Sequence, residues 1–311
     1  MDLDEIFNSK NISQSSKNLY KRNLLSLNDG NPIKSINFLK DPSVIDSKLE
    51  RYKPNTRRSF YIAIVSFLRC LKDIGKKKSV IALYEKYMPI LDEMNKKLKD
   101  ATAMKPKEEQ NWMDKSEIDA IYERLSMIVP IAEKKRQLTR HQFQDLQRLM
   151  LMALYTKQAP RRNRDYQLMY VVMKKGGYDK ELLSKANILD MANKQFLFSQ
   201  YKTAGSYNVQ SQDISPEILS VLKLYLKHHP NRASKEPFRL LVDYDSHPLN
   251  NNNDITRLLY KIFERKIGSS MLRKMYLTNK YGAMVNELEK DASAMGTSVE
   301  TAKDNYIKDV N

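Results

Sequence analysis

The side chains of this chain with the strongest chemical potential occur in the order Arg162, Lys202, Arg273 and Tyr306. A tyrosine phenol can act as a nucleophile and form a covalent bond to phosphorus. Arginine guanidinium groups stay charged and can bind two phosphate oxygens at once. Asp165 follows Arg162 by three residues, a helical spacing at which a carboxylate can fix the direction of the guanidinium. Together these residue types could cleave a phosphodiester bond without a metal ion.

Each of these residues also has a simpler explanation. Arg162 lies in a cluster with Arg161 and Arg164, which could bind phosphates without doing chemistry. Arg161 replaces Arg162 as the candidate if the register is shifted by one residue. Lys202 could be an ordinary turn lysine, and Tyr306 is one of 18 tyrosines. The elements that carry these residues therefore have to be considered.

The first third of the sequence is predicted to be helical. A Ser or Thr start followed by apolar residues at helical spacing predicts helices over 15–27 and 56–75. A third helix is predicted over 79–101, with an interruption at Pro89. The polar stretch ATAMKPKEEQ, residues 101–110, is typical of a linker. We therefore predict a helical domain over residues 1–105 and a second domain over residues 106–311.

The second domain is predicted to be mainly helical with a small sheet inserted. Alternating β-prone residues over 186–215, with a turn near Thr203–Ser206, predict a short β-meander that carries Lys202. Helical periodicity predicts the remaining elements, over 114–129, 139–156, 216–229, 254–268, 269–283 and 286–296, with a last helix around Tyr306.

The net charge of +17 points to a polyanionic partner such as double-stranded DNA. Residues 1–110 carry 22 Lys and Arg against 14 Asp and Glu, and residues 111–311 carry 32 against 23, so both halves are basic. The run Lys76, Lys77 and Lys78 is a candidate contact to the DNA backbone. A composition rich in Lys, Asn, Ile and Tyr, typical of AT-rich genomes, is the alternative explanation of the charge.

Other functional classes find little support in the sequence. No apolar run reaches the length of a membrane span, so no membrane association is expected. Cys70 stands alone in an apolar run, which excludes a disulfide framework. The four histidines show no metal-ligand spacing, so neither a metal site nor another cofactor is expected.

Four stretches in order resemble the catalytic domain of the tyrosine recombinases, the phage-integrase family: TKQAPRRNRDYQL, YKTAGS, SMLRK and MGTSVETAKDNY. The resemblance implies that Arg162 and Arg273 are the two catalytic arginines and that Asp165 supports the first. It implies that Lys202 is the sheet lysine, which protonates the leaving 5′-oxygen, and that Tyr306 is the nucleophile. The resemblance also implies a helical core-binding domain in front of the catalytic domain.

Two positions depart from the family pattern. Ser270 stands where the family has the histidine of its H-x-x-R motif, and Thr297 stands where it has a second histidine or a tryptophan. Hydroxyl groups can donate a hydrogen bond but carry no charge. The neighbouring Lys274, a further candidate DNA contact together with Arg161, could supply the missing charge. Tyr306 follows Thr297 by nine residues, as the family's nucleophile follows its second histidine.

The function implied by the resemblance is site-specific DNA cleavage and rejoining through a 3′-phosphotyrosine, by a homo-tetramer on two DNA sites. The free protein would be a monomer or a dimer. Two alternatives stay open: a type IB topoisomerase, disfavoured by the helical first third, and a DNA-binding protein of the same fold with degenerate chemistry. The AT-rich composition suggests a virus or a mobile element, working inside a cell where DNA is present.

Overall fold

The computed structural model describes residues 1–75, 78–100, 106–204 and 208–308. The chain divides into two compact units, Met1–Ala103 and Met104–Asn311. This division falls within the stretch 101–110 that the sequence suggests as a linker. Lys76 and Lys77 lie outside the described residues, and so do residues 205–207, which include the end of the predicted turn Thr203–Ser206.

The first unit is built from helices in its described part. Its α-helices are α1 (Leu3–Asn8), α2 (Gln14–Leu27), α3 (Pro42–Leu49), α4 (Pro54–Asp73) and α5 (Lys78–Asp100), with a 3₁₀ turn at Asn37–Leu39. Helix α4 is central, because α1, α2 and α5 all pack against it. Its buried side chains include Phe67 and Cys70, so the single cysteine is part of this core.

Helix α5 continues through Pro89, where the sequence predicted an interruption. A proline inside a helix removes one backbone hydrogen bond and crowds the preceding turn. Here Leu83 and Tyr87 before the proline and Leu91 after it are all buried in the same core. Packing on both sides of the proline against α4 therefore holds one continuous helix.

The second unit contains most of the remaining helices. They are α6 (Pro106–Glu109), α7 (Lys115–Ser126), α8 (Val129–Lys134), α9 (Arg140–Thr156), α10 (Asn163–Gln167), α11 (Lys180–Lys185), α12 (Pro216–Lys227), α13 (Asn252–Phe263), α14 (Ser269–Ala294) and α15 (Val299–Thr301), followed by a π-helical turn at Ala302–Tyr306. Asp114 and Thr139 start α7 and α9 with capping boxes, as their positions before apolar stretches predict. Helix α9 is buried along most of its length and forms the centre of this unit.

A five-stranded mixed sheet interrupts the helices of the second unit. Its strands are β1 (Met169–Val172), β2 (Asn187–Asp190), β3 (Gln195–Phe198), β4 (Gln210–Asp213) and β5 (Phe238–Arg239), in the spatial order β4-β3-β2-β1-β5. Only β1 and β2 are parallel, and α11 lies in the connection between them. The chain is thus mainly helical with a small sheet, which confirms the coarse prediction. Strands β1 and β5 were not predicted, because runs of two to four apolar residues do not reveal their period.

The two faces of the sheet pack against different partners. Phe196 and Phe198 of β3 face the main core around α9, whereas Leu197 between them belongs to a small cluster with Val172 and Ile188. This alternation is the two-residue period of a strand that is covered on both faces. Packing on both faces of the sheet therefore fixes the side-chain directions of β3, which ends shortly before Lys202.

Helix α14 runs without a break from Ser269 to Ala294, where the sequence predicted two helices, 269–283 and 286–296. Gly282 keeps a helical backbone, because the penalty of a glycine inside a helix is only about 1 kcal/mol. Helices α4, α5 and α14 are the longest in the described part of the chain, with 20, 23 and 26 residues. Neither these nor any other described helix has the apolar character that a membrane crossing needs.

Candidate functional site

Arg161 is held in place from several sides. Its Nε donates a hydrogen bond to Oδ2 of Asp165 at 3.1 Å, and its Nη1 donates one to Oε1 of Gln210 at 2.7 Å. Its guanidinium carbon lies 4.1 Å from the ring centre of Phe198 and 4.9 Å from that of Tyr201. A guanidinium with two hydrogen-bond acceptors and two aromatic contacts has little freedom left. This arginine is therefore built into the protein.

Asp165 is buried, with 1 % of its surface exposed. The buried setting raises the pKa of its carboxyl group, although the charges of Arg161 and Arg162 act in the opposite direction. Its Oδ1 has no hydrogen-bond partner among the described residues. The side chain of Asn187 on β2 fixes the local backbone by donating to the carbonyl oxygen of Asp165 at 2.7 Å.

The sequence predicted that Asp165 pairs with Arg162, and this is wrong in the structure: the ion pair forms with Arg161. Arg162 precedes α10 and has an extended backbone, with φ −74° and ψ 155°. The spacing argument requires both residues to be helical, and only Asp165 is. The carbonyl oxygen of Arg162 instead accepts a hydrogen bond from the backbone N–H of Asp165 at 2.9 Å, which closes the first turn of α10.

Arg162 and Arg273 lie close enough in space for their charges to act on each other, and their guanidinium groups have no hydrogen bond or ion pair within the described ranges. Partial burial lowers the pKa of Arg273, and the charge of Arg162 lowers it further. Asp165 raises that pKa, and Arg161 lowers it. Since these charges act on each other, Arg273 near the start of α14 faces the arginine cluster at α10. Two unpaired guanidiniums at one place repel each other, and an anion between them would relieve the repulsion.

Lys202 is exposed in the connection between β3 and β4, next to Tyr201. The ring of its neighbour Tyr201 contacts Arg161, and the Tyr201 hydroxyl donates to the carbonyl oxygen of Asn208 at 2.7 Å. The Lys202 ammonium makes no hydrogen bond or ion pair with any described residue. Lys202 therefore follows a tyrosine that contacts Arg161, while its own side chain binds no described residue.

Ser270 lies in an open cavity of about 340 Å³ beside the first turn of α14. Asn163, which follows Arg162, also lines this cavity. Lys274 lines it as well, but its Nζ is bound to Oε1 of Glu108 at 2.6 Å. The cation that could compensate for the missing histidine is therefore already paired with a carboxylate.

Thr297 belongs to the cap that ends α14. Its backbone N–H donates to the carbonyl oxygen of Ala292 at 2.9 Å, and the N–H of Gly296 donates to that of Ser293 at 3.0 Å. Gly296 has a φ of 69°, which a glycine adopts without strain. These two bonds form a Schellman motif. The stretch MGTS is therefore explained locally as a helix ending.

Tyr306 ends the π-helical turn, and 61 % of its surface is exposed. The described structure contains no contact between its ring and Arg161, Arg162 or Arg273. Ser298 caps α15, and Ala302 is the one buried residue in the described stretch between Ser298 and Tyr306. The segment that carries Tyr306 is therefore weakly anchored. The structure thus brings the arginines and Asp165 together but leaves the tyrosine apart from them.

The predicted DNA contacts in the lysine run 76–78 can be examined only at Lys78, the exposed first residue of α5. A possible metal cluster that the sequence did not predict lies at Asp243, Asp245 and His247, whose ligand atoms are within 4.8 Å of one another. Local bonds account for this group, because Asp243 Oδ1 accepts from the backbone N–H groups of Asp245 and His247. Arg140 pairs with Asp245.

Sequence reasoning missed the residues that hold Arg161. Phe198 and Gln210 are directly opposite each other in the antiparallel pair of β3 and β4. Residues opposite each other across two strands point to the same face, and both contact Arg161. The alternation along the predicted meander carried this signal, but only the strand pairing shows which two residues meet.

The chain was compared with known proteins, and no match was found. No family model matches the chain, no curated protein matches it, and no solved structure matches it.

Proposed function

We propose that this protein cleaves and rejoins DNA strands through a covalent 3′-phosphotyrosine at Tyr306. One observation supports the proposal: Arg162 and Arg273 lie close enough for their charges to act on each other, and neither guanidinium has a partner among the described residues, while Arg161 is fixed by Asp165 and Gln210. Two free guanidiniums at one place match the non-bridging oxygens of a phosphodiester, whose negative charge grows in the transition state.

In the proposed reaction, the Tyr306 oxygen attacks the phosphorus of one DNA strand and gives its proton to solvent water. A bond forms between that oxygen and phosphorus, and the bond from phosphorus to the 5′-oxygen breaks. Lys202 gives a proton to the departing 5′-oxygen, as a general acid does. The reverse reaction with a 5′-hydroxyl from the same or another strand restores the phosphodiester. Because the phosphotyrosine conserves the bond, no nucleotide cofactor is consumed.

The proposal requires Tyr306 to reach the arginine cluster from an exposed position. The segment from Thr297 to Tyr306 buries little of itself, so moving it disrupts few contacts. DNA binding or a second copy of the chain would supply the ordering energy. A homo-tetramer on two duplexes, with the free protein smaller, fits an exchange of strands between two sites.

Double-stranded DNA is the proposed partner of both units. The basic charge of each half supports this, since a polyanion gains attractive contacts along its whole length. The proposed role of the helical first unit is to bind DNA beside the catalytic unit. The helical character of its described part does not support the topoisomerase alternative, which would bring a β-rich first domain.

A second candidate function is DNA binding without cleavage. The observation in its favour is that Thr297 is explained by its role in a helix ending and Tyr306 is apart from the arginines. In this alternative the arginine cluster binds backbone phosphates and no covalent bond forms.

A trapping experiment with nicked DNA separates the two candidates. A nick shortly after the cleavage position lets the short fragment with the free 5′-hydroxyl diffuse away, so a covalent adduct accumulates. We expect an adduct in the presence of EDTA with the wild-type chain and with Tyr281→Phe. We expect none with Tyr306→Phe, which removes the oxygen and keeps the ring. If the wild-type protein binds the site and forms no adduct, or if Tyr306→Phe forms it normally, DNA binding without cleavage replaces the proposal.

A further inference from the structure

The middle of α14 exposes a stripe of apolar residues in the described structure. Leu277, Tyr281 and Met284 are 55 %, 40 % and 64 % exposed, and Leu288 is half-buried. Their spacing of four, three and four residues places them on one face of the helix. Val285 beside this face is 40 % exposed as well. We call Leu277, Tyr281, Met284 and Leu288 the α14 stripe.

The spacing of the α14 stripe is that of a coiled-coil seam. Apolar residues that alternate at intervals of three and four are buried when a second helix packs along them. Charged residues interrupt the same series at both ends: Lys274 stands three positions before Leu277, and Asp291 stands three positions after Leu288. The seam therefore has a defined length of about three helical turns.

We propose that the α14 stripe binds the α14 stripe of a second copy of this chain, with the two helices antiparallel. In this register Leu277 packs against Leu288 of the second copy, and Tyr281 packs against Met284 of the second copy. Each of the four residues of the stripe then has an apolar partner on the second copy. The pairing is symmetric, as in a twofold dimer in which both copies use the same surface.

The charges that flank the stripe favour the antiparallel direction. The antiparallel register brings Lys280 close to Glu287 of the second copy, and it keeps the two Asp291 side chains far apart. The Lys280 ammonium lies 5.1 Å from the ring centre of Tyr281, so this charge flanks the stripe. A parallel pair in register would instead place each Asp291 against Asp291 of the second copy. Opposite charges across the seam thus select one orientation.

The length of the stripe determines how tight this association is. Three helical turns form a short seam, and isolated short helices are marginal in water. The rest of the second unit holds the first part of α14 in place, so the helix does not have to form on binding. We therefore expect a reversible dimer whose population rises with protein concentration. The inference does not depend on DNA cleavage.

The test is a charge exchange, measured by sedimentation of the DNA-free protein over a range of concentrations. We expect wild-type dimers to dissociate about tenfold more easily after Lys280→Glu and about tenfold more easily after Glu287→Lys, because each change creates two like-charge pairs. The double variant with both changes restores attraction and the wild-type dissociation constant. These two single changes alter net charge in opposite directions, so a common effect cannot come from net charge.

Matched controls lie on the opposite face of the same helix. Glu289→Lys and Lys290→Glu make the same charge changes away from the stripe, and we expect both to leave the dissociation constant as in the wild type. Helical content measured by circular dichroism shows that all variants are folded. A wild-type chain that is monomeric at every concentration overturns the proposal. It is also overturned if the controls weaken the dimer as much as Lys280→Glu and Glu287→Lys, or if the double variant stays dissociated.

Discussion

Asp165 accepts a hydrogen bond from Arg161 at 3.1 Å, whereas the side chain of the adjacent Arg162 has no partner in the part of the chain that the structure describes. The relationship divides two neighbouring arginines into different roles. Arg161 is fixed by a buried carboxylate and by the strands, whereas Arg162 is available to bind an anion. The same carboxylate also lies close enough to raise the pKa of Arg273, so it partly offsets the repulsion among the three arginines.

We predict that Arg161→Ala and Arg162→Ala have opposite profiles. Arg161→Ala leaves the buried Asp165 without its partner and should lower the free energy of unfolding by about 2 kcal/mol or more. Arg162→Ala should leave that free energy within about 0.5 kcal/mol of wild type. It should lower the rate of adduct formation on nicked DNA by about a hundredfold to a thousandfold, since it removes one fixed charge at the transition state.

Chemical denaturation measures the first effect and single-turnover adduct formation measures the second. Arg164→Ala is the matched control, because it removes a neighbouring arginine of the same cluster. Equal losses of stability in Arg161→Ala and Arg162→Ala would contradict the division of roles.

The sequence predicted the elements of the site better than their contacts. Capping residues and apolar periodicity located α7, α9 and the meander, because these signals are local. The partner of Asp165 could not be predicted from spacing, because Arg162 lies outside the helix. Phe198 and Gln210 contact Arg161 together because they are paired across β3 and β4. Such pairing joins residues that are distant in the chain, so the sequence does not reveal it.

Continuity of the longest helices was the other feature that the sequence missed. Pro89 and Gly282 are helix-weakening residues; the sequence predicts an interruption at Pro89 and two separate helices, 269–283 and 286–296, where Gly282 lies near the end of the first. In α5, packing on both sides of the proline outweighs the lost backbone hydrogen bond. In α14, the glycine penalty of about 1 kcal/mol is too small to end a helix. Propensity alone cannot weigh these penalties against packing.

We predict that the protein loses stability in mild acid through His229. This ring is buried and stacks on Phe238 at 4.8 Å, and burial lowers its pKa from 6.5 to about 4. Between these values the unfolded chain binds a proton that the folded chain does not. Stability is therefore complete above pH 6.5 and falls as the pH falls toward 4, by about 3 kcal/mol in total.

The measurement is the free energy of unfolding at a series of pH values for wild type and His229→Gln. The variant should be less stable at neutral pH and should show a flatter dependence between pH 6.5 and 4. His141→Gln, at an exposed position, should keep the wild-type slope. The raised pKa of Asp165 acts in the opposite sense, but it is common to all three proteins and cancels in their comparison. An unchanged slope in His229→Gln would refute the assignment.

We predict a steep dependence of DNA affinity on salt. Each half of the chain is basic, and each phosphate neutralised by Lys or Arg releases counterions on binding. With about six phosphate contacts, affinity should fall by about a thousandfold between 50 and 200 mM salt. Fluorescence anisotropy with a labelled duplex measures this slope. A flat dependence would exclude backbone contacts as the main source of affinity.

The linker should be the first place where a protease cuts. The chain divides between Ala103 and Met104, and we expect limited proteolysis to give two resistant fragments with a cut within residues 101–110. Mass spectrometry locates the cut. A resistant fragment that spans this stretch would show that the two units are not separable there.

The last prediction concerns Thr297, where the structure explains the backbone and the resemblance concerns the side chain. The N–H of Thr297 completes the Schellman motif at the end of α14, and any residue except proline can supply it. Thr297→His should therefore leave the melting temperature within a few degrees of wild type. If Tyr306 attacks DNA with position 297 beside the phosphate, an imidazole there donates a stronger hydrogen bond than a hydroxyl, and we expect adduct formation to accelerate about tenfold or more. Thr297→Ala keeps the same cap and should not accelerate it. A folded Thr297→His protein that forms the adduct no faster than wild type would show that position 297 does not face the reacting phosphate.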